Sequence, residues 1–168
     1  MFSKGTYLYG ALIIISSSFT FQIYKFLEVA LGKKALTVFI YLFLFLAVVI
    51  VFTYAVKTGP NIIQFTSLLL SILLTSFLII SLPFLGEKTH VASYGLLGYL
   101  SIKDTAGKER NILKALFLAF MFTLVVNISD ELFQGWLPYR TGEIRDVITN
   151  IFCSFAGFLF YFGLGKNK

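Results

Sequence analysis

Charged residues are scarce in this chain, since Asp, Glu, Lys and Arg together make up only 13% of its 168 residues. Soluble domains contain about 25% charged residues and about 45–50% apolar ones, whereas this chain is 58% hydrophobic. Several windows of about 20 residues carry little or no charge, which is the length that a helix needs to cross about 30 Å of hydrocarbon. The shortage of charge therefore excludes a soluble domain and predicts an integral membrane protein.

Cysteine and histidine occur once each, as Cys153 and His90. A single cysteine excludes a disulfide within the chain, and Cys153 lies in an apolar run, where a cysteine usually acts as a small hydrophobic residue. No Cys/His cluster has the spacing of metal ligands, and one histidine excludes a His-rich metal site within one chain. We therefore expect no metal and no cofactor.

Negative charge is also short, which leaves a formal net charge of +6. The basic residues are scattered through short loops and form no patch, so the excess does not indicate a nucleic-acid partner. Positive charge that flanks membrane spans explains it.

Six apolar segments follow one another along the chain, at 6–26, 35–56, 61–82, 88–103, 110–134 and 144–164. Their apolar residues run continuously and do not alternate, and an open sheet cannot lie in lipid, so strands are excluded. We predict an all-α transmembrane helix bundle in one domain, with residues 1–84 forming N-terminal transmembrane helices. The segment 88–103 is short, and the number of spans falls to five if it does not cross.

Lys and Arg residues set a weak preference for orientation. In a six-span arrangement eight lie on the side of both termini, against six on the other, which favours cytoplasmic termini. The eight are Lys4, Lys57, Lys103, Lys108, Arg110, Lys114, Lys166 and Lys168. The loops before segment four and after segment five would then face the outside of the cell.

Polar residues interrupt the last three segments at helical spacing, each at the end that these two loops join. They are Glu87, His90 and Tyr94 on segment four, Asn127, Asp130, Glu131 and Gln134 on segment five, and Asp146 and Asn150 on segment six. Gly98 continues the first stripe, and Ser154 and Gly157 continue the last. A charged residue that faces acyl chains costs roughly 2.5–3.5 kcal/mol at the centre of the bilayer. We therefore predict that the three stripes face one another around a shared polar pocket.

Three interpretations of these charges remain open. They are solvated charges at helix ends, a structural network in which acids pair with Arg140 or Arg145, or a binding or reaction site. Asn127 argues against solvation alone, because it lies about two turns inside its span. Trp136 and Tyr139 are most simply interfacial anchors.

The motifs His90-x-x-x-Tyr94-x-x-Leu97, Asp130-Glu131-x-x-Gln134, Pro138-x-Arg140 and Asp146-x-x-x-Asn150, followed by Gly157, resemble those of the VanZ-like integral membrane proteins. The resemblance covers residues 85–164. The chain departs from the family pattern in three places. Thr89 alone separates Lys88 from His90, where the family usually has two residues, and Ser93 and Cys153 stand where the family often has an acid and a glycine. The family's namesake is associated with low-level teicoplanin resistance in bacteria, so the resemblance implies a multi-pass protein of the bacterial plasma membrane.

Two functions fit these residues. The first is binding of a head group from a lipid, a lipid-linked cell-wall precursor or a lipoglycopeptide, with a role in glycopeptide resistance or envelope homeostasis. Lys88 and Arg140 would meet an anionic head, and the other polar residues of the three stripes would complete the site. The alternative is an intramembrane enzyme, in which His90 acts as acid/base with Glu131 or Asp146 as the second acid/base or the orienting group. The absence of an inverted repeat disfavours a transporter.

Overall fold

The computed structural model describes residues 2–165, and the only regular secondary structure within them is helical. The all-α prediction is therefore confirmed. Lys166 and Lys168, which entered the charge count, lie outside the described residues. The helices are α1 (Lys4–Leu31), α2 (Lys33–Thr58), α3 (Ile62–Ser81), α4 (Leu85–Ala106), α5 (Ile112–Trp136) and α6 (Ile144–Leu164).

Local sequence signals determine several helix ends. Ser3 and Asn111 cap α1 and α5 with their side-chain oxygens. Asn61 and Gln64 form a reciprocal capping box at the start of α3, with both hydrogen bonds 2.9 Å long. Gly59 ends α2 in the left-handed conformation, at φ 60°, which glycine adopts without steric cost.

Consecutive helices run in opposite directions along the bundle. At one end Thr6 of α1 donates a hydrogen bond to Asp104 near the end of α4, at 2.7 Å. At the other end Lys88 near the start of α4 donates to the carbonyl oxygen of Ile79 in α3, at 2.6 Å. The second end, where α4 and α6 begin and α5 ends, is called the site end below.

The fourth helix is longer than its apolar run predicted. It has 22 residues, which corresponds to about 33 Å, and it extends the length of the bundle. By length and composition the five other helices could each cross a membrane. α4 is less apolar, but it packs against α1, α3, α5 and α6, so these neighbours shield its polar residues from lipid. The chain is a multi-pass membrane protein.

Small residues bring α4 and α6 close together. A Cβ atom on Gly98 would overlap the backbone of Ser154, and one on Gly157 would overlap the carbonyl oxygen of Gly95. Both glycines, which we expected to continue the polar stripes, instead form the contact between the two backbones. This contact places the starts of α4 and α6 side by side. Cys153 is fully buried in the adjoining core, as its apolar setting predicted.

Candidate functional site

A cavity of about 350 Å³ opens at the site end, bordered by α1, the starts of α4 and α6, the end of α5 and the loop that joins α5 to α6. It contains side chains from all three predicted stripes. The predicted residues that border it are Glu87, His90, Tyr94, Asp130, Arg140 and Asp146.

Asp130 is the most deeply buried acid at the cavity. Its Oδ2 atom accepts a hydrogen bond of 2.7 Å from the Tyr94 hydroxyl, and both residues are 1% exposed. Its Oδ1 atom is buried and has no hydrogen-bond partner in the part of the chain that the structure describes. A buried acceptor without a donor costs about 1–3 kcal/mol, so a donor that reached Oδ1 of Asp130 would stabilise the site.

His90 is held by a chain of side-chain amides. Its Nδ1 atom lies 2.9 Å from Oδ1 of Asn150, whose Nδ2 atom donates to Oδ1 of Asn127 at 2.9 Å. Asn127 in turn donates from Nδ2 to the carbonyl oxygen of Val147, also at 2.9 Å. Both asparagines are buried and lie behind the histidine, not among the residues that border the cavity.

This amide chain changes the predicted environment of the histidine. We expected Glu131 or Asp146 to act with His90 or to orient its ring. Within residues 2–165 the hydrogen-bond partner of the imidazole is Asn150, and the ring stacks on Tyr94 with centroids 5.9 Å apart. Asp146 borders the same cavity, whereas Glu131 lies outside it.

Glu131 and Gln134 hold the loop between α5 and α6. Oε2 of Glu131 accepts a hydrogen bond of 3.2 Å from the backbone N–H of Glu143, and Oε1 of Gln134 accepts one from Nη2 of Arg140. The guanidinium of Arg140 also lies over the ring of Phe21, 5.7 Å from its centroid. These contacts support the structural interpretation for Glu131 and Gln134, and they position Arg140 at the cavity.

Arg145 joins the acids at the mouth of the site. It forms an ion pair of 2.7 Å with Glu87, and it lies 3.5 Å from Asp146 and 3.8 Å from Glu143. Its side chain is 53% exposed, and exposed ion pairs contribute about 0–1 kcal/mol. The network links the starts of α4 and α6 without adding much stability.

Lys88 points away from the cavity. Its ammonium group donates to the carbonyl oxygen of Ile79 at 2.6 Å and to the hydroxyl of Tyr41 in α2 at 2.9 Å. The residue is 7% exposed and does not border the cavity. The position of Lys88 therefore does not support the expected contact with an anionic head group. The next residue, Thr89, borders the cavity. Adjacent helical residues point about 100° apart, so the side chain of Lys88 is directed toward α2 and α3.

Helix α1 provides a wall of the cavity that was not predicted from the sequence. Ser16, Thr20 and Tyr24 border the cavity together with Ser17. Their spacing of four residues places them on one face of α1, and this stripe of hydroxyls in an apolar helix was a usable signal. Tyr139, interpreted as an interfacial anchor, also borders the cavity and donates to the carbonyl oxygen of Ser18 at 3.3 Å.

Comparison with known families places the chain in one of them. The family model described as VanZ/LLP1 matches residues 7–165, so the chain belongs to this family. The match includes most of the N-terminal helices in addition to the region 85–164 that carries the motifs. No curated protein and no solved structure matches the chain.

Proposed function

We propose that this member of the VanZ/LLP1 family binds the polar head group of an amphiphile in the cavity at the site end, while the acyl part lies among the helices. A membrane lipid, a lipid-linked cell-wall precursor and a lipoglycopeptide share this amphiphilic chemistry. The observation that carries the proposal is that Asp130 borders a cavity of about 350 Å³ and that its buried Oδ1 atom has no hydrogen-bond partner among residues 2–165. A cavity of this size accommodates a small ligand.

The distribution of polar groups supports binding over simple solvation. Asp130 and Tyr94 are 1% exposed, so water outside the bundle does not reach them as it would reach charges at helix ends. Intramembrane ionisable residues are costly and mark functional sites in membrane proteins. In a chain with so few charges, the presence of four carboxylates around one cavity supports a ligand site there.

Arg140 is the residue best placed to receive an acidic group of the head. Its Nη2 atom is used by Gln134, but guanidinium groups carry five N–H donors in a fixed fork. The remaining donors suit a phosphate or carboxylate at the cavity. Arg140 thus takes the role that we expected it to share with Lys88.

The site also supports an alternative function, that of an intramembrane enzyme acting on a lipid-linked substrate. The amide chain behind His90 favours it, because hydrogen bonding at Nδ1 leaves Nε2 available as a base. Asp146 would be the second acid/base group, since it borders the same cavity as His90. Turnover of the bound lipid by the wild-type protein, lost in His90→Ala with binding retained, would favour this alternative.

Filling the cavity tests the binding proposal directly. Ser16 is an exposed residue at the cavity wall, so Ser16→Phe inserts a ring without disturbing the core. Ile15→Phe is the matched control, because Ile15 is 59% exposed and lies outside the cavity. We expect Ser16→Phe to reduce the lipid retained by the purified protein, measured by native mass spectrometry, while Ile15→Phe retains the wild-type amount. Equal retention by both variants would contradict the proposal.

We place the protein in the bacterial plasma membrane with the site end outside, and propose that ligand binding there contributes to glycopeptide resistance or envelope homeostasis. Expression in a teicoplanin-sensitive bacterium tests this role. The wild-type protein should raise the inhibitory concentration, and Ser16→Phe should not, whereas no difference between them would remove resistance from the proposal.

A further inference from the structure

Three hydroxyl groups that α1 contributes to the cavity wall use their protons within that helix. Ser16 donates to the carbonyl oxygen of Ile13 at 3.2 Å, and Ser17 to that of Ile14 at 2.8 Å. Thr20 donates in the same way to the carbonyl of Ser16, at 2.8 Å. A hydroxyl has one proton and two lone pairs, so each of these oxygens has only acceptor capacity left for the cavity.

Carboxylates add further acceptors. Oδ1 of Asp130 and Oε2 of Glu87 are buried and unpartnered in residues 2–165. The proton of the Tyr94 hydroxyl is already given to Asp130, and that of Tyr139 goes to a carbonyl oxygen of α1. In its neutral form the His90 ring adds a lone pair at Nε2, since its Nδ1 atom faces the side-chain oxygen of Asn150. Acceptors therefore predominate at the cavity wall, where the remaining side-chain donors include the guanidinium of Arg140 and the hydroxyls of Tyr24 and Ser93.

The charges at the cavity wall also favour a cationic group in the ligand. Among the described residues, the acids Glu87, Asp130, Glu143 and Asp146 border the cavity, against one basic side chain, the guanidinium of Arg140. Arg145 pairs with three of these acids from outside the cavity. Asp130 has no ion pair in the described part of the chain, so its carboxylate lacks a cation.

We propose that the head group bound here carries a protonated primary amine, whose N–H groups bind Oδ1 of Asp130 and the neighbouring acceptors, while Arg140 receives the acidic group of the same head. This inference rests on the proposed function and names the chemical class of its ligand. A primary ammonium group supplies three N–H donors and a positive charge, which complement the acceptors and the acids that predominate at the wall. A metal ion would supply charge alone, and no three His, Cys, Asp or Glu side chains in residues 2–165 are grouped so as to hold one.

A series of head groups with decreasing numbers of N–H donors tests the proposal on the wild-type protein. The probes are phosphatidylethanolamine, its N-monomethyl and N,N-dimethyl derivatives, phosphatidylcholine and phosphatidylglycerol, each titrated in detergent and followed by native mass spectrometry. We expect the affinity to fall with each methyl group, and phosphatidylethanolamine to bind at least about tenfold more tightly than phosphatidylcholine. Lysyl-phosphatidylglycerol carries its amine on an amino acid, whereas phosphatidylethanolamine carries it on ethanolamine. The lipid of these two that binds more tightly identifies the kind of head group that supplies the amine.

Asp130→Asn tests the residue that the proposal assigns to the amine. This variant keeps an oxygen for the Tyr94 hydroxyl but removes the negative charge, so the preference for the primary amine should disappear. Glu109→Gln is the matched control, because Glu109 pairs with Lys114 at the protein surface, outside the cavity. It should keep the wild-type preference.

The outcomes separate this inference from the function on which it rests. If phosphatidylethanolamine and phosphatidylcholine bind with equal affinity and Ser16→Phe binds neither, the preference for a primary amine is contradicted and head-group binding still stands. Lipid retention that is insensitive to Ser16→Phe would overturn both. The methylation series needs no variant, so misfolding of Asp130→Asn would not prevent a decision.

Discussion

The side-chain oxygen of Asn150 lies 2.9 Å from Nδ1 of His90, and this contact determines which imidazole nitrogen carries the proton. The carbonyl oxygen of Val147 can only accept, so Asn127 presents its Nδ2 group there and its oxygen to Asn150. Asn150 must then use its own Nδ2 group for Asn127, which leaves its oxygen for the histidine. Nδ1 of His90 is therefore the donor, and Nε2 is left with a lone pair in the neutral ring.

Because the chain has one histidine, its tautomer can be measured by NMR without assigning resonances to individual residues. In protein labelled with ¹⁵N-histidine, the neutral imidazole should give the shifts of the Nδ1–H tautomer. Asn150→Ala should remove this preference, because Nδ1 then has no fixed acceptor. Asn150→Asp is the control that keeps an acceptor and should keep the tautomer. A neutral wild-type ring protonated at Nε2 would contradict the amide chain.

The hydrogen bond between Tyr94 and Asp130 should stabilise the fold. Tyr94→Phe removes the donor to Oδ2 and leaves both carboxylate oxygens of a buried acid without a partner among the described residues, so we expect a loss of about 1.5–3 kcal/mol in the free energy of unfolding. Chemical denaturation in mixed micelles measures it. In Tyr94→Phe/Asp130→Ala the loss should be smaller than the sum of the two single losses, because each single variant already removes the hydrogen bond. Additive losses would show that the two side chains do not interact.

The close approach of α4 and α6 should make Gly157 intolerant of a side chain. Gly157→Ala would force its Cβ atom onto the Gly95 carbonyl, and overpacking of this kind costs about 1–3 kcal/mol or more. Gly86→Ala is the matched control, since a Cβ atom there would have no neighbour within 4 Å. Thermal unfolding should show a lower Tm for Gly157→Ala only. The same Tm for both variants would contradict the contact.

Lys88 and Arg140 should differ in their effects on ligand binding. Arg140 borders the cavity, whereas Lys88 is bonded to Ile79 and Tyr41 on the other side of α4. We expect Arg140→Gln to weaken lipid binding by about tenfold, which corresponds to the loss of one charge-assisted hydrogen bond. Lys88→Met should leave the affinity close to that of the wild type. Stronger loss in Lys88→Met than in Arg140→Gln would reverse the assignment.

The orientation of the bundle remains a prediction and can be tested with cysteines. Cys153 is fully buried, so a membrane-impermeant maleimide should not label the wild-type protein. In a Cys153→Ala background, Ser16→Cys should be labelled on intact cells, because Ser16 is exposed at the site end. Labelling only after the cells are opened would place this end in the cytoplasm.

Several features could be predicted from residue order because their causes are local. Long uninterrupted apolar runs determine the helices, and the predicted segment 144–164 coincides with α6 (Ile144–Leu164). Helical periodicity likewise placed the polar residues of three helices at one end of the bundle. The length of α4 was underestimated, because its flanking polar residues reduce the apolar signal while neighbouring helices shield them.

The rotation of each helix about its axis could not be obtained in this way. Asp130 and Glu131 are adjacent, yet only Asp130 borders the cavity, and Lys88 turns away from it although Glu87 does not. Adjacent helical residues point about 100° apart, so a small rotation exchanges their roles. The sequence by itself therefore determined the membrane helices and the end that carries their polar groups. Tertiary packing, through contacts such as Gly157 against Gly95, decided which of those groups meet at the cavity.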